Sequence, residues 1–519
     1  MTERLLFTTK PVQRPERHLA FLLLLTLGRL GFQVYLYNRG FLSVSADEFA
    51  RGMLAAQWAT RPHWDSWREF VGIWLPFEKY LNGFALWLWD DVILAPRFTV
   101  FLFSCLLLWV VYHLIYHLYR HWGVAALATL ILAAQPWFIW LSGSPMLEMY
   151  YLACFMTGFY YLIRWSQEPR PRYWVGSSIA FFCTCGFHLP GWILVALMAL
   201  LTLPWLWGWL RQRQMRRVGQ WIAIFAPAGL FILGYGWVGY WLEGRFWPFL
   251  SAHTVYSQWF YGGYAIPVTE KLVYYPRILG QNLSWSVILF SLIGLIPLIR
   301  AKDAGDKRLP FFLILASLLT NSLFNVFSGP PSAAPGRYAL LYIILLSPYI
   351  GWGVYQVWKL RPRTWPQFSP VIRLFSLLLV VGLLAQNLKQ AQSFPRGMAL
   401  DAIATGEYLN THLNQPGVPP EATFLVELHY WDFLGVQLTA RHFTAIVFDR
   451  KKDFFDRQTP SLFLEEPATV RVALQEQKVY LVALYEADLK EQAEATGFLQ
   501  PKTTIGLWTI YTVHNLSEP

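Results

Sequence analysis

Apolar stretches of about twenty residues recur from His18 to about Asn387, and the loops between them are basic at one end and acid-bearing at the other. A bilayer core about 30 Å thick needs roughly 20 apolar residues per helix, so each stretch is long enough to cross it. The basic clusters are Arg4 to Arg17, Arg164 to Arg172, Arg211 to Arg217, Arg300 to Arg308 and Lys359 to Arg363. Short loops rich in Lys and Arg stay on the cytoplasmic side of a membrane, which places the acid-bearing ends outside. Composition agrees: the chain is 55% hydrophobic and only 14% charged, against about 25% charged for a soluble domain. Its net charge of +11 is divided among separate loops and forms no continuous stripe, which argues against a nucleic-acid partner.

The windows fall at about 18–37, 97–118, 124–141, 146–164, 174–188, 190–209, 219–242, 282–299, 309–327, 337–358 and 370–388. Counted as about eleven crossings with the amino terminus inside, they leave every basic cluster cytoplasmic and everything after Asn387 outside. The expected organisation is a cytoplasmic segment 1–17, a transmembrane domain 18–390 with outer loops 38–96 and 243–281, and an outer α/β domain 393–519. The first apolar run lacks a small-residue cleavage site and reads as a retained helix. Cys105, Cys154, Cys183 and Cys185 all lie in apolar spans and read as packing residues.

In the first outer loop, DEFARGMLAAQW (47–58) and FEKYLNGFALWLW (77–89) repeat apolar residues at helical spacing, which predicts amphipathic helices at the membrane surface. The second loop is rich in Trp, Tyr, Pro and Gly and suits an interfacial lid. Beyond 393, strands are predicted at 422–430, 442–448, 478–485 and 507–513, with helices at 398–413 and 486–496. No glycine-rich phosphate loop opens any of these helices, so this part is assigned neither nucleotide nor catalysis.

Candidate chemistry therefore sits at the outer helix ends. Asp47 and Glu48 open the first surface helix, where they also complement its dipole, and Arg51 stands one turn from Asp47. Glu148 follows Ser144 and Pro145 at a helix start, where it too gains from the dipole, yet an acid just inside a spanning helix is a functional candidate. Arg337 is a cation at an outer helix start, where dipole and topology both disfavour it, so it calls for an anion. Lys79 raises the same question, with Glu78 beside it as an alternative partner. His188, in GFHLPG, reads as a turn residue or, with Glu78, as a candidate ligand for a divalent metal, though no helical metal-ligand spacing supports the pair. No cofactor is otherwise called for.

The order of these features resembles the polytopic, lipid-donor glycosyltransferases of the GT-C class, in particular the bacterial branch of aminoarabinose lipid A transferase and the protein O-mannosyltransferase-like enzymes. SADEFARGMLAAQW, LPFEKYLNGFALWLWDDVILAPRFTV and PGRYALLYIILLSP carry the likeness, which extends over most of the chain. Asp47 matches the family's first-loop aspartate, Glu78 and Lys79 its Phe-Glu-Lys motif, Glu148 an acid near the fourth helix, and Arg337 with Tyr338 a late Pro-Arg-Tyr helix start. Ala50 stands where the aminoarabinose branch has arginine, with Arg51 next to it, and Tyr80 stands where that branch has proline.

The resemblance implies a polyprenyl-phosphate-sugar donor, an acceptor that is a lipid, a protein or a glycan, and a site in a bacterial-type inner membrane facing outward. Asp47, Glu148 and Glu48 are then the catalytic acids, and Lys79, Arg337, Tyr338 and Arg51 bind the donor phosphate. A cation at the phosphate stabilises the charge that builds up as it departs. An acid at the acceptor takes its proton, and a single in-line displacement inverts the anomeric centre. The competing classes are a lipid flippase or solute transporter, which calls for repeats and broken helices, and a polysaccharide ligase or polymerase on an unrelated fold.

Overall fold

The computed structural model describes residues 15–70, 74–260, 266–330, 334–360, 366–394, 400–429, 432–443, 446–449 and 461–514. Most of the amino-terminal basic cluster and parts of the Lys359–Arg363 cluster, of the 243–281 loop and of the 442–448 strand lie outside them. The first helix, α1 (Pro15–Asn38), leads into the two surface helices expected, α2 (Asp47–Thr60) and α4 (Pro76–Leu88), with a single turn α3 (Trp67–Phe70) between them. Then come α5 (Leu94–Tyr119), α6 (Trp122–Ala133), α7 (Pro136–Leu141), α8 (Leu147–Gln167), α9 (Pro171–Phe187), α10 (Leu189–Leu201), α11 (Leu203–Arg211) and α12 (Met215–Glu243). The bundle finishes with α13 (Pro248–Phe260), α14 (Val268–Asn282), α15 (Trp285–Arg300), α16 (Leu309–Ser328), α17 (Ala339–Lys359) and α18 (Ser369–Ala391).

Among the described residues seven helices are long and apolar enough to cross a membrane, and an eighth if α14 and α15, bent by 104°, make one span. The larger count of eleven adds α6, α8 and α9, which are shorter or less apolar. Two windows read as single helices are broken. Pro136 cannot donate to the ladder, so the helix restarts at α7 with Gln135 as its cap, its side chain accepting from Phe138 N at 2.9 Å. Pro204 likewise opens α11. Within the 243–281 loop the described residues form two helices, α13 and α14.

α15 and α17 touch backbone to backbone. A Cβ at Gly294 would lie 2.1 Å from Tyr349 O, and one at Gly353 would lie 1.9 Å from Phe290 O. Small residues let helices approach this closely in a membrane. The contact fixes α17, and with it the single 3-10 turn Pro335–Tyr338 that carries Arg337 at its head.

The carboxy-terminal part comprises α19 (Leu400–Leu413), β1 (Thr423–Glu427), α20 (Phe433–Ala440), β2 (Ile446–Asp449), α21 (Pro467–Glu476), β3 (Val479–Leu484), α22 (Ala487–Ala495), β4 (Leu499–Ile505) and β5 (Trp508–Val513). The sheet order is β2-β1-β3-β5-β4, with β2, β1 and β3 parallel and β5 antiparallel to both its neighbours. Successive residues of a strand face opposite sides. Phe424, Val426, Leu481 and Ala483 therefore pack with α19 and α20, and Leu425, Val482 and Leu484 with α21 and α22. Both faces are covered, which explains why these strands read as nearly unbroken apolar runs. Leu434 and Leu438 of α20 pack onto Phe49, Ala55 and Ala56 of α2, and Arg441 grips both oxygens of Asp90 at 2.7 and 2.8 Å.

Candidate active site

Three buried ion pairs meet on one short stretch of chain, Ser144 to Tyr151, at the start of α8. Pro145 and the extended backbone of Met146 turn the chain into this helix, so its first residues project toward the surface helices α2 and α4.

The first pair joins Glu148 and Arg337, 2% and 9% exposed, with Nε 3.3 Å from Oε1. Arg337 also donates to Tyr338 Oη at 2.8 Å and lies with its guanidinium 4.9 Å from that ring. The second Glu148 oxygen is buried without a hydrogen-bond partner among the described residues. Asp47 lies within electrostatic range of Arg337 and Tyr338. It is half-buried, and among the described residues no donor reaches its carboxylate.

The second pair joins Arg51 and Glu78 at 3.9 Å, with the Arg51 guanidinium stacked 4.9 Å from the Trp74 ring. Asn82 donates to Glu78 and accepts from Tyr150 Oη at 2.9 Å, which ties α4 to α8. Burial pushes Glu78 above the ordinary carboxylate value, against the pull of Arg51 and Asn82.

The third pair is Glu48 with Arg97, at 3.5 Å. Glu48 accepts from Val44 N at 2.5 Å, from Ser45 N at 3.1 Å and from the Ser144 hydroxyl, so all its contacts are internal. Arg97 donates to Leu42 O at 2.9 Å and Ile93 O at 2.7 Å. Burial raises Glu48 as well, with Arg97 as the largest opposing influence.

The structure thus brings together Asp47, Glu48, Arg51, Glu78, Glu148, Arg337 and Tyr338. Lys79 is placed elsewhere: it pairs with Asp65, whose backbone N–H donates to Tyr80 Oη at 3.0 Å. Neighbouring residues on a helix point about 100° apart, so Glu78 turns inward and Lys79 toward the loop. His188 packs edge-on to Tyr151 at 5.2 Å, within electrostatic range of Arg51 and Arg337. Among the described residues Glu78 and His188 belong to no group of three metal-ligating side chains.

Beside Arg337 opens a small cavity lined by Tyr151, Pro190, Tyr275, Asn321, Tyr338 and Tyr342, among others. Its tyrosine edges and apolar walls make it amphipathic. Sequence reading missed Arg97, although the argument applied to Arg337, a cation in the first turn of an outer helix end, holds for it equally. It placed Ser144 at the helix start without its bond to Glu48, and it missed Arg29, a cation buried in the middle of α1 with its guanidinium 5.8 Å from the Phe138 ring.

No family model matches the chain, and no curated protein matches it. Among solved structures it is similar to ArnT from Cupriavidus metallidurans bound to undecaprenyl phosphate, with TM-score 0.60 and 13% identity over 96% of this chain and 99% of that one. The chain has the GT-C fold. The same likeness extends to the Archaeoglobus fulgidus oligosaccharyltransferase AglB in complex with an inhibitory peptide and a dolichol-phosphate, at TM-score 0.52 and 14% identity over 91% of this chain and 69% of that one. The expected fold class, a polytopic helical bundle followed by a small sheet, is therefore observed.

Proposed function

We propose that the chain transfers a sugar from a polyprenyl-phosphate donor to a hydroxyl- or amine-bearing acceptor, a lipid, protein or glycan, at the outer face of a bacterial-type inner membrane. The observation that carries this reading is the half-buried Asp47 carboxylate, within electrostatic range of the buried Arg337 yet without a donor of its own among the described residues. The similar GT-C structures, one bound to undecaprenyl phosphate and one to a dolichol-phosphate, support the donor class. The basic residues Arg164, Arg211, Arg217 and Arg300 lie at the helix ends opposite this site, which supports its outward orientation.

In the mechanism the acceptor atom attacks the anomeric carbon as the bond from that carbon to the phosphate oxygen breaks. The electron pair leaves with the phosphate and the acceptor's proton passes to Asp47. Arg337, with Tyr338 and Arg51, stabilises the departing phosphate, exchanging part of its contact with Glu148 for the ligand. Glu148 aims Arg337. Glu48 holds the start of α2 and so positions Asp47. Lys79 reaches the phosphate only by leaving Asp65. One displacement inverts the anomeric centre, and no step calls on a metal at Glu78 and His188.

The test is release of sugar from a panel of radiolabelled polyprenyl-phosphate sugars by the purified protein in liposomes, for wild type and Asp47→Asn. Consumption of a donor by wild type with a loss of about 10²–10⁴-fold in the variant is expected for removal of a general base. Equal rates would remove Asp47 from the reaction. Movement of lipid across the bilayer with no donor consumed would overturn the reading in favour of a flippase.

A further inference from the structure

The carboxyl ends of the parallel strands gather acids. Glu427 ends β1, Asp449 ends β2, and Glu486 stands two residues beyond Leu484, the last residue of β3. In the order β2-β1-β3 the chain leaves β1 to one side and returns across it to the other, so the crevice between β1 and β3 is a topological switch point. Open α/β sheets bind their ligands at such a crevice, outside the carboxyl ends of the strands.

Glu427, His429 and Glu486 occupy that crevice. Each offers one ligand atom, and these atoms lie within 4.8 Å of one another. His429 Nδ1 is 3.6 Å from Glu486 Oε1, and the His429 ring stacks on Tyr485 at 3.6 Å, which fixes its plane. Glu427 has no exposed surface. Its Oε2 accepts from the backbone N–H groups of Tyr485 at 2.6 Å and Glu486 at 3.0 Å, locking the carboxylate against the β3–α22 turn. Its Oε1 is buried with no hydrogen-bond partner among the described residues. Burying a carboxylate oxygen in this way is costly unless a donor or a cation meets it.

We propose that Glu427, His429 and Glu486 bind one divalent cation, Zn²⁺ or Mn²⁺. One imidazole with two carboxylates is a mixed donor set that suits these ions better than Ca²⁺ or Mg²⁺, which prefer oxygen alone. Zinc bonds of about 2.0–2.2 Å at tetrahedral angles separate ligand atoms by about 3.3–3.6 Å. The His429 to Glu486 spacing of 3.6 Å already meets this. The ion joins the ends of β1 and β3 immediately before α20, the helix that packs on α2, and so ties the sheet to the element that starts with Asp47. It is a structural cation, separate from the transfer chemistry. The other cluster, His63, Asp65 and Glu69, is largely exposed and its Asp65 is engaged by Lys79, so it serves as the internal control.

The test uses the untagged full chain in detergent, stripped with chelator and titrated calorimetrically with ZnCl₂ and with MnCl₂, followed by elemental analysis after desalting. Wild type and His63→Ala should each retain one ion per chain, and Glu427→Gln and His429→Ala should each bind at least about tenfold more weakly. Glu486→Gln, at the most exposed of the three ligands, provides the same readout with the least risk to folding. Cobalt substitution should give visible bands in wild type that shift in His429→Ala. A wild-type protein that keeps no ion overturns the proposal without any variant. So does binding that is unchanged in Glu486→Gln and His429→Ala, or binding that is lost in His63→Ala.

Discussion

Breaking the Glu148–Arg337 pair is the sharpest probe of the site. The two charges are 3.3 Å apart and both are buried. At an effective dielectric constant of about 20 their attraction is about 5 kcal/mol. Desolvation offsets much of that when the pair forms, but removing one partner strands the other charge, which costs about 3–5 kcal/mol. Glu148→Gln and Arg337→Met should each destabilise the protein by about that much, and the double variant by clearly less than the sum, with a coupling of about 2–3 kcal/mol, within the range for groups in direct contact. The assay is denaturant unfolding in bicelles followed by tryptophan fluorescence for all four proteins. If the two losses add to within about 0.5 kcal/mol, the charges do not depend on each other and the reasoning fails.

Three other outcomes follow from the packing. The folded protein holds a proton on Glu48 above the ordinary carboxylate value of about 4.5, so the stability this group adds relative to Glu48→Gln is present at low pH and is lost as pH rises through the raised value. Apparent melting temperatures of the two proteins across this range should converge or cross on the alkaline side, and a pH-independent difference would contradict it. Gly336→Ala puts a methyl 2.4 Å from the Trp137 ring and should cost about 1–3 kcal/mol in the same unfolding assay while lowering donor turnover through Arg337. At the junction of the two parts, Leu438→Ala should cost about 2–5 kcal/mol because Leu438 is buried against α2, whereas Asp90→Ala, in a pair with an exposed carboxylate, should cost about 1 kcal/mol or less.

The helical bundle was legible because membrane crossing imposes length and apolarity on the sequence directly, and α2 and α4 because one face of each carries the apolar repeat. Breaks at Pro136 and Pro204 were passed over because the apolar run continues through them. β4 (Leu499–Ile505) was missed because LQPKTTI has an exposed, polar edge and a proline, the marks of an edge strand that reads as a loop. α20 and α21 are too short to show a period. In the site, the charged residues were found by their misplacement at helix ends, but their pairing was not. Arg51 stands one turn from Asp47 in sequence yet pairs with Glu78 on another helix, and Lys79 turns to Asp65. Partners on different elements leave no spacing to read. The metal-ligating trio was invisible for the same reason, since Glu486 joins Glu427 only through the parallel pairing of β1 with β3.

The meeting of three ion pairs on Ser144–Tyr151 also bears on how the chain is made. Met146 and Arg337, which touch in the finished protein, are 191 residues apart, so a ribosome completes α8 long before it synthesises the cation that Glu148 needs. Its partners from α2 and α4 are made first, so Ser144 and Tyr150 have Glu48 and Asn82 waiting for them, and only the Glu148 arm stays open. A nascent chain therefore carries one acid at the membrane border whose compensation arrives only with the tenth apolar window, and a chain stopped anywhere before Arg337 leaves Glu148 without that cation.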